Sequence, residues 1–309
     1  IPPRVKIREN AAIELPHVML LVDDPIDRQK IDGCQGASQE DAVNIAAVKH
    51  GIIEYVYAIR DTLRKLYDTE LMQGGGHIRG YAVEGEAARK VTEAFAAKQN
   101  SCGGFLFAVG DGNHSLATAK TCWENIKKSG KFTEEQLKTH PARHALVEIC
   151  NLHSEALEFK PIHRLLTNVD VKDMLSFFEA EITKQGLEST EGDEIVFEYV
   201  ESGSCTAPIK NSGINITNRG DRLPVEILQG ILDKYLETHD NVEIDYIHGD
   251  EALHGLVKET KGCGIFLQSI DKSTLFPAIN AGGVLPRKTF SIGEANEKRY
   301  YMECHKISM

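Results

Sequence analysis

Several patterns that identify common binding sites are missing from this sequence. Its cysteines are odd in number and never spaced Cys-x-x-Cys, which excludes the usual zinc and iron–sulfur motifs. They are Cys34, Cys102, Cys122, Cys150, Cys205, Cys263 and Cys304. The chain also contains no His-Glu-x-x-His and no Gly-Lys-Ser/Thr sequence, which excludes a zincin helix and a Walker loop. Scattered cysteines of this kind are typical of a reducing compartment, so we expect a cytoplasmic protein.

Long hydrophobic runs and an excess of positive charge are also absent. No apolar run approaches the roughly 18 residues of a membrane-spanning helix, so none is predicted. With 35 Lys and Arg against 46 Asp and Glu, the formal net charge is −11. Binding to nucleic acid or to an anionic membrane requires clustered cations, so we expect neither partner. The 309 residues, of which 41% are hydrophobic, suffice for one large or two ordinary domains.

Hydrophobic periodicity and turn residues predict an α+β fold in two parts. In residues 1–165, strands are predicted at 17–22, 70–73, 77–83, 105–109 and 145–150, and helices at 38–50, 54–66, 84–98 and 116–128. In residues 166–309, helices at 171–184, 224–238 and 250–259 alternate with strands at 195–200, 242–247 and 264–268. Exposed loops are predicted at 186–192 and 211–220. This alternation favours an α/β-type C-terminal domain.

The most informative segment is Phe105-Leu-Phe-Ala-Val-Gly-Asp-Gly-Asn-His-Ser115. A strand, a glycine turn and a helix in succession direct free backbone N–H groups toward an anion, and the helix dipole adds partial positive charge. Gly110 and Gly112 allow close approach of the backbone. The pattern indicates a phosphate-handling catalytic loop in which Asp111, Asn113, His114 and Ser115 place an acid/base pair and two hydrogen-bonding groups. The alternative is an ordinary turn, with Ser115 or Asn113 capping the helix.

Two further basic pairs are candidates for contact with the same anion. His77 and Arg79 follow Gly74-Gly75-Gly76 and are two residues apart, so a strand would direct both to one face. The alternative is a plain glycine hairpin with a solvated arginine. His163 and Arg164 are predicted in a loop after a buried strand, where catalytic groups are common. The alternative there is a surface turn.

Several segments together resemble an uncharacterised bacterial and archaeal family named here by its Asp-Gly-His-His-Arg motif. That family belongs to the ParB/sulfiredoxin-like superfamily, which includes free serine kinases. Besides the loop at 110–115, the resemblance rests on Leu15-Pro-His-Val-Met-Leu-Leu-Val-Asp-Asp-Pro25, Leu71-Met-Gln-Gly-Gly-Gly-His-Ile-Arg-Gly-Tyr81, Lys160-Pro-Ile-His-Arg-Leu165 and Gly283-Val-Leu-Pro-Arg-Lys-Thr289. These segments span nearly the whole chain.

The resemblance implies a ParB/sulfiredoxin-like fold for residues 1–165 and a nucleotide-dependent phosphotransferase. Its substrate would be a small hydroxyl compound such as free serine, with ATP or ADP as the nucleotide. The implied catalytic residues are Asp111 and His114, and Asp111 would either hold Mg²⁺ or accept the hydroxyl proton. The implied phosphate-binding residues are Gly110, Gly112, Asn113, Ser115, His77, Arg79, His163 and Arg164.

The loop also departs from the family pattern. Asn113-His114-Ser115 stands where the family has His-His-Arg, so the arginine that would clamp a phosphate is missing, and Arg79 or Arg164 is the expected replacement. Family members carry a further N-terminal segment, so part of the site is expected to precede Ile1. Two other functions stay open. The chain could be a nucleotide-binding switch that forms no product, or a nucleotide-independent hydrolase or lyase that uses Asp111 and His114.

Overall fold

The chain divides into two units of structure. The computed structural model describes residues 2–25, 51–200, 208–293 and 301–309. Unit 1 consists of Ile1–Leu157 together with Glu294–Met309, and unit 2 of Glu158–Gly293. The predicted α+β class is confirmed. The predicted boundary between 165 and 166 falls inside a continuous strand, Phe159–Thr167, whose neighbours all belong to unit 2. The division therefore comes earlier, and the C-terminal segment returns to unit 1.

Unit 1 is built around a small mixed sheet and a separate hairpin. Its helices are α1 (Pro2–Arg8), α2 (Ile52–Ile59), α3 (Gly85–Ser101), α4 (Asn113–Lys128) and α5 (Glu134–Thr139). Its strands are β1 (Ile13–Glu14), β2 (Met19–Val22), β3 (Arg64–Glu70), β4 (His77–Ala82), β5 (Phe107–Asp111), β6 (Glu148–Asn151) and, near the C-terminus, β13 (His305–Lys306). The central strand β2 is antiparallel to β5 and parallel to β6.

The packing of unit 1 follows from the apolar run of β2. Leu21 and Val22 are fully buried, so both faces of this short strand are covered. On one face, Phe107 of β5 contacts Phe95 of α3, with ring centroids 5.5 Å apart. Asp24, which follows β2, is also buried, and its Oδ2 accepts a 2.6 Å hydrogen bond from the backbone N–H of Ile52. Asp24 thus caps α2 from a distant part of the chain.

The β3–β4 hairpin corrects one sequence prediction. A helix was predicted to continue to residue 66, but α2 ends at Ile59 and the chain is already extended from Arg64. The two strands pair antiparallel from Arg64 opposite Ala82 to Glu70 opposite His77. The glycine segment forms the connection predicted for it. The predicted helix at 38–50 and the loop before it lie outside the described residues.

Unit 2 contains an antiparallel sheet with helices on both faces. Its strands are β7 (Phe159–Thr167), β8 (Glu188–Val200), β9 (Ile209–Thr217), β10 (Glu243–His248), β11 (Cys263–Leu267) and β12 (Phe290–Ile292), and its helices are α6 (Val171–Lys184), α7 (Pro224–Thr238), α8 (Asp250–Thr260) and α9 (Lys272–Gly282). The strand order is β10-β7-β11-β8-β9, and β12 pairs with β7. Because every pairing is antiparallel, the α/β alternation here does not produce a parallel sheet.

Two neighbouring residues of β7 show which helices cover the two faces of this sheet. Leu165 packs with Leu253 and Val257 of α8, whereas Leu166 belongs to the larger core that includes Leu228 of α7. Successive residues of a strand point to opposite faces, so α8 covers one face and α7 the other. The loops predicted at 186–192 and 211–220 are instead mostly strand, in β8 and β9. In the part of the chain that the structure describes, no helix has the length and hydrophobicity needed to cross a bilayer.

Candidate functional site

The Gly-Asp-Gly turn in unit 1 connects β5 directly to α4. Gly112 lies between them with a left-handed φ of 86°. A Cβ atom at this position would lie 2.2 Å from the carbonyl oxygen of His17 and 2.7 Å from the Cα of Val18. Both the backbone conformation and the contact with the chain before β2 therefore require glycine. The sequence identified this glycine but not the segment against which it packs.

The first turn of α4 supplies the backbone donors that the sequence pattern predicted. The first hydrogen bond of the helix runs from the N–H of Leu116 to the carbonyl of Gly112. The N–H groups of Asn113, His114 and Ser115 precede it and have no acceptor within the helix. The helix starts at Asn113 rather than at the predicted residue 116. Its N-terminal positive dipole therefore lies beside Asp111.

Asp111 is held in place by two neighbours. Its Oδ1 accepts a 2.7 Å hydrogen bond from the N–H of Gly112. Its Oδ2 lies 3.7 Å from Nδ1 of His17, with both side chains about one-third exposed or less. The His17 ring in turn makes an edge contact with Tyr301, at 6.3 Å between centroids. A carboxylate, an imidazole and an anion-favouring helix end thus meet at one partly solvated position.

His17 and Tyr301 are the two residues of this site that the sequence reasoning missed. His17 was assigned to a buried strand, whereas the strand starts at Met19 and the His17 side chain is half-buried beside Asp111. His17 is near Asp111 because Met19, two residues further on, pairs with Asp111 across the sheet. A single sequence does not reveal which strands pair. His114 and Asn113 are exposed at the start of the helix. The hydroxyl group of Thr118 donates a 2.7 Å hydrogen bond to the carbonyl oxygen of His114.

His77 and Arg79 lie on one face of β4, as the two-residue spacing predicted. Both line a cleft of about 750 Å³ within unit 1, together with Tyr81 from the same strand face and Val83 just after the strand. The lining residues of this cleft do not include Asp111 or His114. The glycine segment before them is a tight hairpin connection in which Leu71 N–H donates to the carbonyl of Gly76. The hairpin alternative therefore describes the backbone here.

The hairpin carries a network of exposed charges. Asp68 Oδ2 lies 2.7 Å from Lys65 Nζ, and Asp68 Oδ1 lies 2.5 Å from His77 Nε2 and 3.3 Å from Arg79 Nε. Hydrogen bonds from Lys65 and then His77 hold the pKa of Asp68 well below its usual value. His77 Nδ1 also lies 2.6 Å from Glu70. The bonds to Glu70 and Asp68 raise the pKa of His77, which favours the imidazolium.

His163 and Arg164 were predicted in a loop, and this prediction is wrong. Both lie within β7 of unit 2 and are 1% and 0% exposed. Arg164 donates to the side-chain oxygen of Gln229 at 3.1 Å and to the carbonyl of Ile162. Burial lowers the pKa of Arg164 to about 10. The strand pattern was masked by Pro161, which pairs with the short strand β12.

His163 contacts the start of α8. Its Nδ1 accepts from the N–H of Leu267 at 3.2 Å, and its Nε2 lies 2.8 Å from Asp250 Oδ1. Burial lowers the pKa of His163, and the bond to Asp250 opposes this only in part. The N-cap residue of α8 is Gly249, and no side chain caps the helix. Asp250 instead orients His163.

The described residues offer little for a metal site. Among residues 2–25, 51–200, 208–293 and 301–309, no group of three or more His, Cys, Asp and Glu side chains could hold a metal ion. Asp23 Oδ1 lies 2.6 Å from His153 Nε2, and Asp24 caps α2. The five described cysteines are free thiols. A Mg²⁺ ion would therefore depend on phosphate oxygens for most of its ligands, which is how this ion often binds.

A family model of proteins of unknown function, DUF1015, matches residues 1–225. The chain belongs to this family. The match covers more than half of the 309 residues and includes the Gly-Asp-Gly turn and the hairpin. The predicted membership in a family without a known function is thus confirmed at that level. The Asp-Gly-His-His-Arg family and the ParB/sulfiredoxin-like superfamily stay predictions. No curated protein matches the sequence.

Solved structures show distant likeness over most of the chain. A conserved hypothetical protein from Pyrococcus furiosus is 12% identical, with 79% of this chain and 83% of that chain covered and a TM-score of 0.34. A mutant free serine kinase in complex with AMP is 12% identical, with 97% and 95% covered and a TM-score of 0.41. Another mutant free serine kinase, in complex with ADP, is 9% identical, with 94% and 88% covered and a TM-score of 0.36. With TM-scores below 0.5, these likenesses carry no argument about chemistry.

Proposed function

We propose that this protein is a nucleotide-dependent phosphotransferase that acts on a small hydroxyl compound at Gly110–Ser115. The observation that carries the proposal is the meeting of three N–H groups at the start of α4 with the Asp111–His17 pair. Phosphoryl transfer depends mainly on positioning and on neutralisation of charge. A helix N-terminus supplies both for phosphate oxygens, and the adjacent carboxylate can accept a proton.

Each residue has a defined role in this proposal. The N–H groups of Asn113, His114 and Ser115 bind phosphate oxygens, and the exposed His114 side chain adds a further donor. Asp111 accepts the proton of the attacking hydroxyl group, and His17 at 3.7 Å stabilises the Asp111 carboxylate when protonated. In the alternative role of Asp111, its carboxylate and phosphate oxygens would hold Mg²⁺, which would neutralise developing charge.

The reaction balances with these groups alone. A bond forms between the acceptor oxygen and the transferred phosphorus, while the bond from that phosphorus to the bridging oxygen of the donor breaks. The hydroxyl proton passes to Asp111, and the leaving nucleotide keeps the electron pair.

The identity of the substrates comes from the family resemblance, which implies ATP or ADP as the nucleotide and free serine as the acceptor. The ParB/sulfiredoxin-like assignment has the same source. The cytoplasmic location and the lack of nucleic-acid binding also stay sequence-based predictions.

Neither Arg79 nor Arg164 is assigned to this site in the proposal. Tyr67, which donates to Glu303 at 2.8 Å, pairs with Gly80 and therefore faces the side of the hairpin opposite to Arg79, which pairs with Asp68. The contact with the C-terminal segment thus does not bring Arg79 to the Gly-Asp-Gly turn. Arg79 is 60% exposed on that hairpin. Arg164 is fully buried in unit 2 and fits a structural role.

The proposal is tested by assaying nucleotide consumption with a panel of hydroxyl amino acids and Mg²⁺. Asp111→Asn keeps the shape of the side chain but removes its basicity, so turnover should fall by about 10²–10⁴-fold while nucleotide binding persists. His114→Ala should weaken both binding and turnover. Asp245→Asn, an exposed carboxylate on β10 in unit 2, is the matched control and should leave turnover unchanged.

The three functional classes give different outcomes. If the wild-type protein consumes no nucleotide with any acceptor, the phosphotransferase proposal fails. Nucleotide binding without turnover, detected as a rise in melting temperature, would favour the switch module. Turnover of a hydroxyl compound without nucleotide, abolished by Asp111→Asn, would favour the hydrolase or lyase.

A further inference from the structure

A second candidate site in unit 1 is the cleft beside the hairpin. It encloses about 750 Å³, a size typical of pockets for small molecules. Five elements contribute to it: α2, the turn that follows α2, the strand face of β4, α3 and β6. The phosphotransfer proposal uses none of its apolar lining.

The interior of the cleft is apolar. α2 and α3 contribute aliphatic and aromatic side chains, including Val56, Val91 and Phe95, and β6 contributes Ile149. Phe95 is fixed by its contact with Phe107, and Ile52 is 2% exposed. These walls belong to helices and strands rather than to loops, so the shape is largely preformed. A ligand with a flat or compact apolar body would be stabilised here by removal of its surface from water.

The polar groups of the cleft are all basic or phenolic. Arg60, His77 and Arg79 line it, and no Asp or Glu does. The Arg60 guanidinium stacks 3.9 Å from the centroid of the Tyr57 ring, which holds it at the rim. Arg79 donates to Asp68 through Nε. The Nη atoms of a guanidinium are the donors at its end that form paired hydrogen bonds to an anion. Asp68 is shared among Lys65, His77 and Arg79, and Glu70 also pairs with His77, so two carboxylates serve three basic groups.

We propose that this cleft binds a small organic anion whose apolar body enters between α2 and α3 and whose anionic group lies between Arg60 and Arg79. The apolar walls select the body, and the two guanidinium groups select the charge. The site differs from the Gly-Asp-Gly turn, where backbone N–H groups and Asp111 face the ligand. It therefore extends the phosphotransferase proposal without depending on it.

The test uses two fluorescent probes with similar aromatic bodies and different charge. 8-Anilinonaphthalene-1-sulfonate is an anion, whereas N-phenyl-1-naphthylamine is neutral at pH 7.5. We expect the anion to bind more tightly to the wild-type protein. Arg60→Gln and Arg79→Gln should each weaken its binding by about two- to fivefold, as for partly exposed ion pairs, and should leave binding of the neutral probe unchanged. Arg89→Gln on α3, an arginine paired with Glu86 and Glu93 outside the cleft lining, is the matched control.

A filling variant locates the binding. Val56→Trp places a large side chain in the cleft and should abolish binding of both probes, while circular dichroism checks that the fold persists. Asp111→Asn should leave probe binding unchanged, so failure of the phosphotransferase proposal and failure of this one can be told apart. Equal affinity for the two probes, no effect of either arginine variant, or unchanged binding in a folded Val56→Trp protein would each overturn the proposal.

Discussion

The chain contains two pairs of basic residues with similar composition and opposite surroundings. His77 and Arg79 lie on β4 in unit 1, where Arg79 is 60% exposed and both residues line a cleft. His163 and Arg164 lie on β7 in unit 2 and are 1% and 0% exposed. The pKa of His77 is raised by carboxylates, whereas burial lowers the pKa of His163. Burial rather than residue type thus separates a cleft-lining pair from a buried structural one.

The largest expected effect concerns the two arginines. Arg164→Ala removes a fully buried side chain and leaves Gln229 and the carbonyl of Ile162 without their donor. We expect a loss of about 2–4 kcal/mol in the free energy of unfolding. Arg79→Ala, the matched exposed change, should stay within about 0.5 kcal/mol. Urea unfolding followed by circular dichroism measures both.

A volume-preserving variant sharpens this prediction. Arg164→Met keeps most of the buried stem and removes a charge that is expensive to bury, so it should recover most of the stability lost in Arg164→Ala. If Arg164→Ala costs no more than Arg79→Ala, the guanidinium of Arg164 is not a structural element of unit 2, and the contrast between the two pairs fails.

The titration midpoints of the two histidines should lie on opposite sides of the pKa of an unfolded histidine, which is about 6.5. Because the pKa of His163 is lowered in the folded protein, the unfolded chain takes up a proton at this residue at a higher pH than the folded protein does. The stability contributed by neutral His163 is therefore complete above pH 6.5 and decreases as the pH falls below 6.5. The raised pKa of His77 gives the reverse. Its contribution is complete below pH 6.5 and is lost as the pH rises through the folded pKa.

Proton NMR of the histidine ring hydrogens measures both midpoints, with His77→Gln and His163→Gln identifying the signals. We expect the His77 midpoint above 6.5 and the His163 midpoint below it. Equal midpoints, or the reverse order, would contradict the burial that separates these residues.

The sequence predicted the helices of unit 2 better than its strands, for identifiable reasons. The bounds of α6 and α7 coincide with the predicted ones because each helix has a local start signal. Asp170 caps α6 through the N–H groups of Lys172 and Asp173, and Pro224 occupies the first turn of α7. In β9, Lys210, Asn211 and Ser212 are consecutive and all exposed, so the alternation that identifies a half-buried strand is missing from its first half.

The candidate site was predicted in part for a related reason. The Gly-Asp-Gly turn is a local pattern, so Asp111, Gly112 and the start of α4 could be found from neighbouring residues. His17 reaches Asp111 through strand pairing, and Tyr301 reaches His17 through the return of the C-terminal segment. Contacts of this kind depend on register between distant segments, which one sequence does not show.

A smaller effect is expected when the acidic partner of each histidine is removed. Asp68→Asn removes one of the two carboxylates that favour His77 imidazolium, so the His77 midpoint should fall. Asp250→Asn removes the carboxylate charge that opposes the effect of burial at His163, so the His163 midpoint should fall further below 6.5. The same NMR titration measures both shifts. Asp61→Asn, whose carboxylate is 77% exposed beside Arg60, is the control and should move neither midpoint. An unchanged His77 midpoint in Asp68→Asn would mean that Glu70 alone sets its pKa.

The smallest expected effect is that of salt, and it separates the two causes of the pKa shifts. The raised pKa of His77 comes from hydrogen bonds and charges on an exposed hairpin, where 1 M salt reduces the screening length to about 3 Å. The lowered pKa of His163 comes first from removal of its ring from water, which salt does not reverse. Raising NaCl from 0.1 to about 1 M should therefore lower the His77 midpoint toward 6.5 and leave that of His163 nearly unchanged. If salt moved the His163 midpoint and left the His77 midpoint unchanged, the causes assigned to the two pKa shifts would be wrong.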